Sequence, residues 1–540
     1  MKKTLVIIAA ILSLHSYSSA QTIVPAGNVS GTWTFAGSPY LIQGAIMVPD
    51  GSTLTIEPGV TVIFQGPYKL YPQGRILAQG TASDSITFTA ADTTTGWLGI
   101  QFDYTPATND TSRFYYCKLQ YSKAAGNGGA FFILGFSKVV ISNCRISNCR
   151  TDAYPGGGGI QCSGSSPIIT HNTITHNMTT YGGGGICCEN ANPAIINNTI
   201  SYNSAAGGGG GIECFGIYNA SNAMISGNVI SNNTASSGGG IFTSNNSPAI
   251  LNNIISNNTA TNGGGIYCSN DGTPEIVNNA VSNNSAADGG GGLYCDYTYG
   301  NPSYANNTFS NNSAARGGGL FCSLYSNITL QNSILWGNTA STSGPQVYLD
   351  DENSDPAFYY CDVQGGTAEF GLNSGIFYTG FFQNNLDIIP LFVSSTAGSG
   401  TGYNGLTGDW SLLEGSPCIN AGTPDTSGLS LPAFDLAGNP RIKGGRIDIG
   451  AYEFLFPSSI NEDLNTSGMD IYPNPAANSL TIGNVQKSEI EILNLNGTIV
   501  KTIYIEDTKT TIDIEDLSCG VYFITAKTDK GITIKKFVKE

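Results

Sequence analysis

The sequence is poor in the residue types on which most enzymes and nucleic-acid-binding proteins rely. Only 3 of its 540 residues are histidine, only 11% are charged, and 22 basic against 38 acidic side chains give a formal net charge of -16. Such a chain lacks the basic stripe that binding to a phosphate backbone requires, which argues against a nucleic-acid partner. No run of about 18 apolar residues follows the first fifteen positions, so no transmembrane helix is expected in the mature chain.

Residues 1–20 have the features of a secretory signal peptide. Lys2 and Lys3 form a positive start, an apolar stretch follows, and Ser18, Ser19 and Ala20 form a cleavage site of small residues. We therefore expect export, which places the 13 cysteines in an oxidising compartment. Because their number is odd, at least one thiol has no internal partner.

The middle of the chain repeats with a period of about 26 residues. A run of glycines ends in an aliphatic residue at Ile160, Ile186, Ile212, Ile241, Ile266, Leu293 and Leu320. Short stretches between these runs alternate apolar and polar residues, the period of a β-strand and not of a helix. A repeat of this length with two or three short strands fits one coil of a parallel β-helix.

Stacked coils place equivalent residues above one another, so the repeat predicts two ladders of side chains. The first, on the same strand face as the aliphatic residue, is expected to point inward. Its members are Cys162, Cys188, Cys214, Thr243, Cys268, Cys295 and Cys322. The second is expected to bond through its amides at a turn and contains Asn172, Asn198, Asn228, Asn253, Asn279, Asn307 and Asn332. Cys117 and Cys144 align with the second ladder. We interpret the cysteines as small buried hydrophobic residues, against a metal or redox role.

Two segments resemble known proteins. The segment from Trp33 to Phe64 resembles the first coils of bacterial right-handed parallel β-helix proteins of the pectate-lyase-like superfamily. The stretch from Cys361 to Phe454, with CDVQGG, DIIPLF, WSLLEGSPCINAGTP, DLAGNPRI and DIGAYEF, resembles the closing region of choice-of-anchor Q type surface proteins. The resemblances imply an all-β, right-handed parallel β-helix but little about activity, since one fold hosts many functions.

The last 73 residues differ in composition and hold 18 of the 60 charged side chains. Their pattern predicts a small β-sandwich. With Tyr472-Pro473-Asn474-Pro475 and Gly520-Val521-Tyr522, this segment resembles the type A C-terminal sorting domain of the type IX secretion system. The resemblance implies a Bacteroidetes protein that crosses the outer membrane through the secretion machinery. In that family the sorting domain is commonly removed, and the passenger is released or linked to surface lipopolysaccharide.

These observations divide the chain into six parts. They are a signal peptide (1–20), an N-terminal cap with the first coils (21–115), regular coils (116–345), a closing region (346–456), a linker (457–467) and the sorting domain (468–540).

The groups of a polysaccharide lyase or glycosidase are mostly not recognisable. Asp350-Asp351 and Arg441-Ile442-Lys443 superficially resemble two polygalacturonase motifs, but the other motifs of that family are missing. A lyase site needs aspartates that hold calcium beside an arginine base. Among the regular coils from Ile160 to Leu320 the only arginine is Arg316, and their acidic residues look scattered: Glu189, Glu213, Asp271, Glu275, Asp288 and Asp296.

Two further groups have both a functional and an ordinary interpretation. The acidic run Asp350, Asp351, Glu352 and Asp355 either binds calcium or is a solvated loop. His171 and His176 occupy positions where other coils carry other polar residues, so we read them as variants of the ladder or the surface. We therefore assign no catalytic, cofactor-binding or metal-binding residue.

The leading hypothesis is a non-enzymatic, secreted or cell-surface scaffold that serves adhesion or contacts extracellular glycans. Aromatic residues in the loops Tyr297–Tyr304 and Phe215–Asn222 either stack on sugars or cap turns. The alternative is a lyase or glycoside hydrolase acting on acidic polysaccharide. Carboxylates with shifted pKa values on one lateral face would favour the enzyme, and dispersed carboxylates would oppose it.

Overall fold

The computed structural model describes residues 21–455 and 469–540, apart from 125, 127, 217–221, 299, 301, 443, 495–497 and 529–530. The predicted signal peptide and linker therefore lie outside the described residues. The chain divides into two compact units, Met1–Leu455 and Phe456–Glu540. Each is described by itself below.

The first unit is a parallel β-solenoid of three sheets with fourteen strands each, as the repeat predicts. Sheet A contains Thr22–Val24, Tyr40–Ile42, Thr61–Phe64, Ile86–Ala90, Cys117–Gln120, Arg145–Ser147, Thr173–Thr175, Thr199–Ser201, Val229–Ser231, Ile254–Ser256, Ala280–Ser282, Thr308–Ser310, Ile334–Trp336 and Asp362–Val363. Sheet B contains Gly27–Asn28, Ile46–Val48, Leu70–Pro72, Ile100–Asp103, Phe131–Leu134, Ile160–Ser163, Ile186–Glu189, Ile212–Phe215, Ile241–Ser244, Ile266–Ser269, Leu293–Asp296, Leu320–Ser323, Val347–Leu349 and Gly371–Leu372. Sheet C contains Gly31–Trp33, Thr53–Ile56, Arg75–Gln79, Ser112–Tyr115, Val139–Ser142, Ile168–Thr170, Ala194–Ile196, Met224–Ser226, Ala249–Leu251, Glu275–Val277, Ser303–Ala305, Thr329–Gln331, Ala357–Tyr359 and Phe382–Gln383.

Short strands between sheets A and B form two additional four-stranded parallel sheets. We call them the corner sheets. Their strands are Lys123–Ala124, Arg150–Thr151, Met178–Thr179 and Ser204–Ala205 in the first, and Thr259–Asn262, Ser285–Gly289, Ser313–Arg316 and Thr339–Ser343 in the second. The remaining elements of this unit are the paired strands Phe392–Ser394 and Asp409–Leu412 and the 3-10 turns Phe35–Gly37, Gly366–Glu369 and Gly405–Thr407. Within the described residues no helix is long and apolar enough to cross a membrane.

The core is built from the inward-facing residue of every strand, because side chains alternate between the two faces. The predicted cysteine ladder lies in this core, with Cys162 paired to Cys188 and Cys188 to Cys214 in register. All 13 cysteines are free thiols, and only Cys519 is exposed. Burial raises the pKa of the Cys162 thiol. The ladder is therefore apolar packing, as predicted.

Two consecutive residues turn the chain at the corner between sheets C and A. The first residue is in the left-handed region, as at Asn252 with φ 56°, a conformation that asparagine tolerates. The second points inward and bonds its equivalents: Asn253 Nδ2 donates to Asn279 Oδ1 at 3.0 Å and to the Ile225 carbonyl at 2.9 Å. Asn172 accepts from the Cys144 amide, which confirms the alignment of these two residues.

The prediction of the last member of the asparagine ladder is wrong by one position. The Asn307 amide donates to Ser333 Oγ, so Ser333 continues the ladder, whereas Asn332 has φ 49° and occupies the outward position. The error arose because both residues of the pair are polar, so the repeat alone does not show which one points inward.

A second inner ladder, not predicted, lies at the corner between sheet A and the corner sheets. It consists of Asn177, Asn203, Asn233, Asn258, Asn284, Asn312 and Asn338. Asn233 Oδ1 accepts from the amide of Asn203 and from its side chain, at 2.9 and 3.0 Å. The repeated Asn-Asn pairs at both ends of each short strand were its signal.

After the last coil the chain returns along the outside of the solenoid. We call residues 396–455 the return segment. The outward asparagines bond its backbone: Asn257 Nδ2 donates to the Tyr403 carbonyl at 2.6 Å, and Asn306 Nδ2 donates to the Asp448 carbonyl at 2.9 Å. Because these amides bond main-chain groups, the position of the return segment depends little on its side chains.

A buried ion pair fastens the return segment. Arg441 Nη1 lies 3.0 Å from Glu453 Oε1, with both side chains at least 96% buried. Asp435 accepts from the Glu453 amide at 2.7 Å, and Asp448 from the Phe454 amide at 2.6 Å. The motifs DLAGNPRI and DIGAYEF therefore meet in one cluster. Arg441 is therefore a buried structural residue, in keeping with the merely superficial likeness of this stretch to a polygalacturonase motif; Lys443 lies outside the described residues.

The second unit is a small β-sandwich of two antiparallel sheets around a shared apolar core. One sheet contains Asp470–Tyr472, Ser479–Gly483 and Lys509–Asp513, and the other contains Ile499–Ile505, Ser488–Leu493, Gly520–Thr528 and Gly531–Lys539.

We predict that Asn233→Ala destabilises the β-helix by about 2–4 kcal/mol, because the Ile200 carbonyl and the Asn203 backbone N–H lose their bonds to the Asn233 side chain and Asn258 Oδ1 loses one of its two donors. Urea denaturation followed by circular dichroism measures the change. The control is Asn232→Gly at the outward position of the same corner, where φ is 56° and glycine fits without strain. Equal losses for the two variants would contradict the assigned role of the ladder.

Candidate functional sites

The outer face of sheet B carries two columns of side chains along the coils, one aromatic and one polar. The aromatic column contains Phe242, Tyr267, Tyr294, Phe321 and Tyr348 in register. Neighbouring ring centroids lie 4.5–5.3 Å apart. Because each inner ring has a neighbour on both faces, the column is a packed spine and offers no open ring to a sugar.

The glycine runs lie beside this column. A Cβ at Gly289 would come within 2.8 Å of the Phe321 ring, and one at Gly208 within 2.8 Å of both Phe242 and Glu213. Side chains at these positions would displace the column. Gly208 and Gly289 therefore make room for the outward residues of sheet B, whereas a Cβ at a later glycine such as Gly211 would meet the backbone of the next coil.

Acidic residues converge on the polar column beside these rings. Asp296 pairs with Ser323 in the next coil, and Asp350 follows Leu349 in the coil after that. Two steps of about 4.8 Å place the two Cα atoms about 9.6 Å apart. The expectation that the acidic residues of the regular coils are scattered is therefore wrong for Asp296 and Asp288, which meet here.

Arg316 joins the cluster between two aromatic rings. Its guanidinium lies 2.7 Å from Asp288 and 3.2 Å from Asp350, and 5.2 and 5.3 Å from the ring centres of Phe321 and Tyr348. The hydrogen bond that Arg316 donates to Asp288 raises the pKa of Arg316. A guanidinium held charged by two carboxylates is unsuited to abstract a proton.

Asp296 is the least satisfied acid of the cluster. Tyr267 donates to Asp296 Oδ2 at 3.1 Å, while the buried Oδ1 has no hydrogen-bond partner among the described residues. Burial raises the pKa of Asp296, the Tyr267 hydrogen bond opposes this, and the charges of Asp350 and Asp351 add to it. The carboxyl thus keeps its proton to a higher pH than an exposed aspartate, as a general acid requires.

Carboxylates of the acidic run after sheet B accept hydrogen bonds from the protein itself. Asp350 bonds Arg316, Asp351 accepts from Ser354 Oγ at 2.6 Å, and Asp355 accepts from the Thr379 amide at 2.9 Å. Protein donors thus hold three of these carboxylates in different directions. No group of three potential metal ligands occurs in the described part of the chain.

Exposed aromatic side chains lie instead around the first corner sheet. Tyr154 and Tyr181 meet edge to face at 5.7 Å, and His176 stacks on Tyr202 at 5.2 Å. Met178 lies between His176 and Tyr181 in the sequence. Tyr154 is 76% exposed and the others of this set, apart from His176, about half exposed. We call these five residues the aromatic patch.

The predicted histidine positions are confirmed as surface variants of the corner. His171 and His176 both have positive φ and occupy the outward corner positions that asparagines take in other coils. Of the two interpretations left open for the aromatic loops, packing applies to Tyr304. Tyr304 is fully buried in the core, and residues 217–221 lie outside the described residues. Tyr154, Tyr181 and Tyr202 were missed, although each interrupts a column that is otherwise small or polar.

The chain matches two family models. Residues 107–281 and 261–389 match the right handed beta helix region, and residues 470–540 match the secretion system C-terminal sorting domain. The β-helix matches span more than half of the 540 residues, so the chain belongs to the right-handed β-helix family. The sorting tail makes it a secreted or cell-surface protein of the type IX system. Neither reported match covers 390–469, where the choice-of-anchor Q resemblance stays a prediction.

The solved structures similar to this chain include the catalytic domain of GH87 alpha-1,3-glucanase in complex with nigerose, at 12% identity and a TM-score of 0.20. The alignment covers 68% of this chain and 64% of that chain. A variant of the same domain with nigerose gives the same values. No curated protein matches the sequence significantly.

Glu213 yields a prediction on pH dependence. It is nearly fully buried on the outer side of sheet B, where burial raises its pKa to about 8 and the Cys187 thiol donates to it at 3.7 Å. The contribution of Glu213 to stability is therefore greatest below pH 4.5 and is lost as the pH rises towards 8, because the unfolded chain releases this proton earlier. We expect Glu213→Gln to stabilise the protein by up to about 3 kcal/mol at pH 7 and to have little effect at pH 4. Thermal melts across this pH range test this, and a gain independent of pH would contradict it.

Proposed function

We propose that this secreted or cell-surface β-helix protein is a non-enzymatic scaffold that contacts extracellular glycans through the aromatic patch. The observation that carries the proposal is the exposure of paired rings at Tyr154, Tyr181 and Tyr202. Exposed aromatic rings bury a large apolar area when a sugar ring lies on them, and their polar edges remain hydrated. Contiguous exposed apolar side chains on a soluble protein mark interaction sites.

The location of the patch supports the same function. The return segment covers the outward corner of later coils, where the Thr401 amide bonds Ser285 Oγ and the Gly405 amide bonds Asn257 Oδ1. In the coils of the patch the equivalent positions carry His176 and Tyr202. Side chains of the aromatic patch thus replace, in the open coils, the asparagines that bind the protein's own backbone in the covered ones.

The second candidate function is hydrolysis or lyase cleavage of a polysaccharide at the Asp296 cluster. A raised pKa at Asp296 and a second carboxylate at Asp350 on the same face favour it. Against it stand the pairing of Arg316 to both Asp288 and Asp350 and the closed faces of the neighbouring rings. We therefore propose glycan contact rather than cleavage of a polysaccharide. Linkage of the passenger to lipopolysaccharide remains a prediction from the sorting tail.

We predict that Tyr181→Ala and Tyr202→Ala each weaken glycan binding by roughly tenfold, because each removes one stacking surface. A glycan array probed with the secreted protein, with and without calcium, identifies a ligand, and titration of that ligand measures the loss. Phe377→Ala removes a more exposed ring (79%) far along the chain and serves as the control. Unchanged binding in both tyrosine variants would exclude the aromatic patch as the site.

We further predict that no oligosaccharide product is released from any glycan that binds. Chromatography of the reaction after prolonged incubation is the measurement. If products form, Asp296→Asn is expected to abolish them without loss of binding, since the amide cannot supply a proton. If the unaltered protein cleaves a glycan and Asp296→Asn does not, our proposal is wrong and the second candidate function is supported.

A further inference from the structure

The cations of the β-helix are unevenly distributed. Of the 22 lysines and arginines, twelve lie in residues 21–467, and six of these fall between Arg113 and Arg150. None occurs from residue 151 to 315. In a chain with a net charge of -16, this is a local reversal of sign.

Four of the six cations lie on two adjacent coils in register. Lys118 pairs with Arg145 on sheet A, and Lys123 pairs with Arg150 on the first corner sheet. We call these four residues the basic array. Lys118, Arg145 and Arg150 are exposed and Lys123 is half-buried. The two strands of each coil follow one another around a single corner, so the array occupies one edge of the solenoid.

This arrangement is unfavourable for the fold alone. Like charges directly opposite on neighbouring strands destabilise a sheet, and here two such pairs lie side by side. Arg150 is partly compensated by Asp152 at 2.9 Å, and Lys123 Nζ donates to the Thr94 carbonyl at 2.6 Å. Neither Lys118 nor Arg145 forms an ion pair within the described residues. A local violation of the rules that stabilise a fold points to a functional role.

The surroundings of the array fit an extended ligand. A shallow cavity of about 230 Å³ lies at the array and is lined by Lys123, Ala124, Arg150 and Asp152. Along the solenoid, the column of Arg150 continues through Met178 of the aromatic patch. Tyr154 follows Arg150 in the same coil. Cations are thus followed by exposed rings along one edge of the molecule.

We propose that the basic array is a binding site for a polyanionic saccharide chain, whose carboxylate or sulfate groups bind Lys118, Lys123, Arg145 and Arg150 while its sugar rings extend onto the aromatic patch. This inference builds on the proposed glycan contact and names its ligand class. The stacked cations bind successive anionic groups of the chain, which removes their mutual repulsion. Because the sites are exposed, binding weakens as salt is added.

The experiment compares dextran sulfate with unsulfated dextran as ligands of residues 21–540, produced with the sorting tail retained. Polygalacturonate and its methyl ester repeat the comparison for carboxylates. The test variant is Lys118→Thr with Arg145→Thr, because the same column carries threonine at Thr87 and Thr173. The control is Lys535→Thr with Lys536→Thr, which removes the same charge from exposed positions of the sorting tail.

We expect the charged polymers to bind more tightly than their neutral counterparts, and the Lys118/Arg145 variant to lose roughly tenfold in affinity for the charged ones alone. Asp152→Asn is expected to raise that affinity, since it frees Arg150. Equal losses in the tail control, or none in the Lys118/Arg145 variant, would overturn the inference. Tighter binding to anionic phospholipid vesicles than to either charged polymer would also overturn it.

The two proposals fail in different ways. Loss of dextran sulfate binding in the Lys118/Arg145 variant, with no effect of Tyr181→Ala or Tyr202→Ala, would reject the aromatic patch and retain the basic array. Equal binding of charged and neutral polymers, with losses only in the tyrosine variants, would retain the patch and reject the array. Melting temperatures equal to that of the unaltered protein establish that each variant is folded.

Discussion

From Asn172 to Asn338, amide hydrogen bonds between the inner asparagines hold the coils in register. Each inner asparagine bonds a main-chain carbonyl in the preceding coil and a side-chain oxygen in the following one, as Asn253 does with Ile225 and Asn279. Two such ladders, one at each end of the sheet A strands, hold the chain at both corners. Buried polar groups are costly when unpaired, so a coil that shifted by one residue would lose bonds at both ladders at once. The apolar core and the outer columns depend on this register.

Because the register is fixed, equivalent outward residues of successive coils form a continuous column. The side chains of that column together determine what it can bind. On sheet B the rings stack on one another, so packing covers the faces of the inner rings. Near the first corner sheet the rings stand in separate pairs and stay exposed. The difference follows from the number of consecutive coils that carry an aromatic residue. Five in succession form a spine, while two in succession leave ring faces and edges for a ligand.

Much of this architecture is predictable from the sequence because the repeat reports directly on register. The buried cysteines from Cys162 to Cys322 and the alignment of Cys144 with Asn172 follow from spacing alone. The choice between Asn332 and Ser333 does not, since both are polar and only the direction of the turn separates them. The convergence of Asp288 and Asp350 on Arg316 joins residues of three coils and one corner sheet. Such contacts depend on how far each loop projects, which a repeat of variable length does not reveal.

The structural and the functional cations of this molecule differ in whether the chain itself supplies their partners. Arg441 and Glu453 are buried together, and Arg316 is held between two carboxylates and two rings, so these cations satisfy partners within the chain. Lys118 and Arg145 stand in register on an exposed sheet, where each raises the energy of the other. A partner that supplies negative charge lowers that energy, and an uncharged partner does not. The cost of this pair in the free protein is therefore recovered only on contact with an anionic ligand.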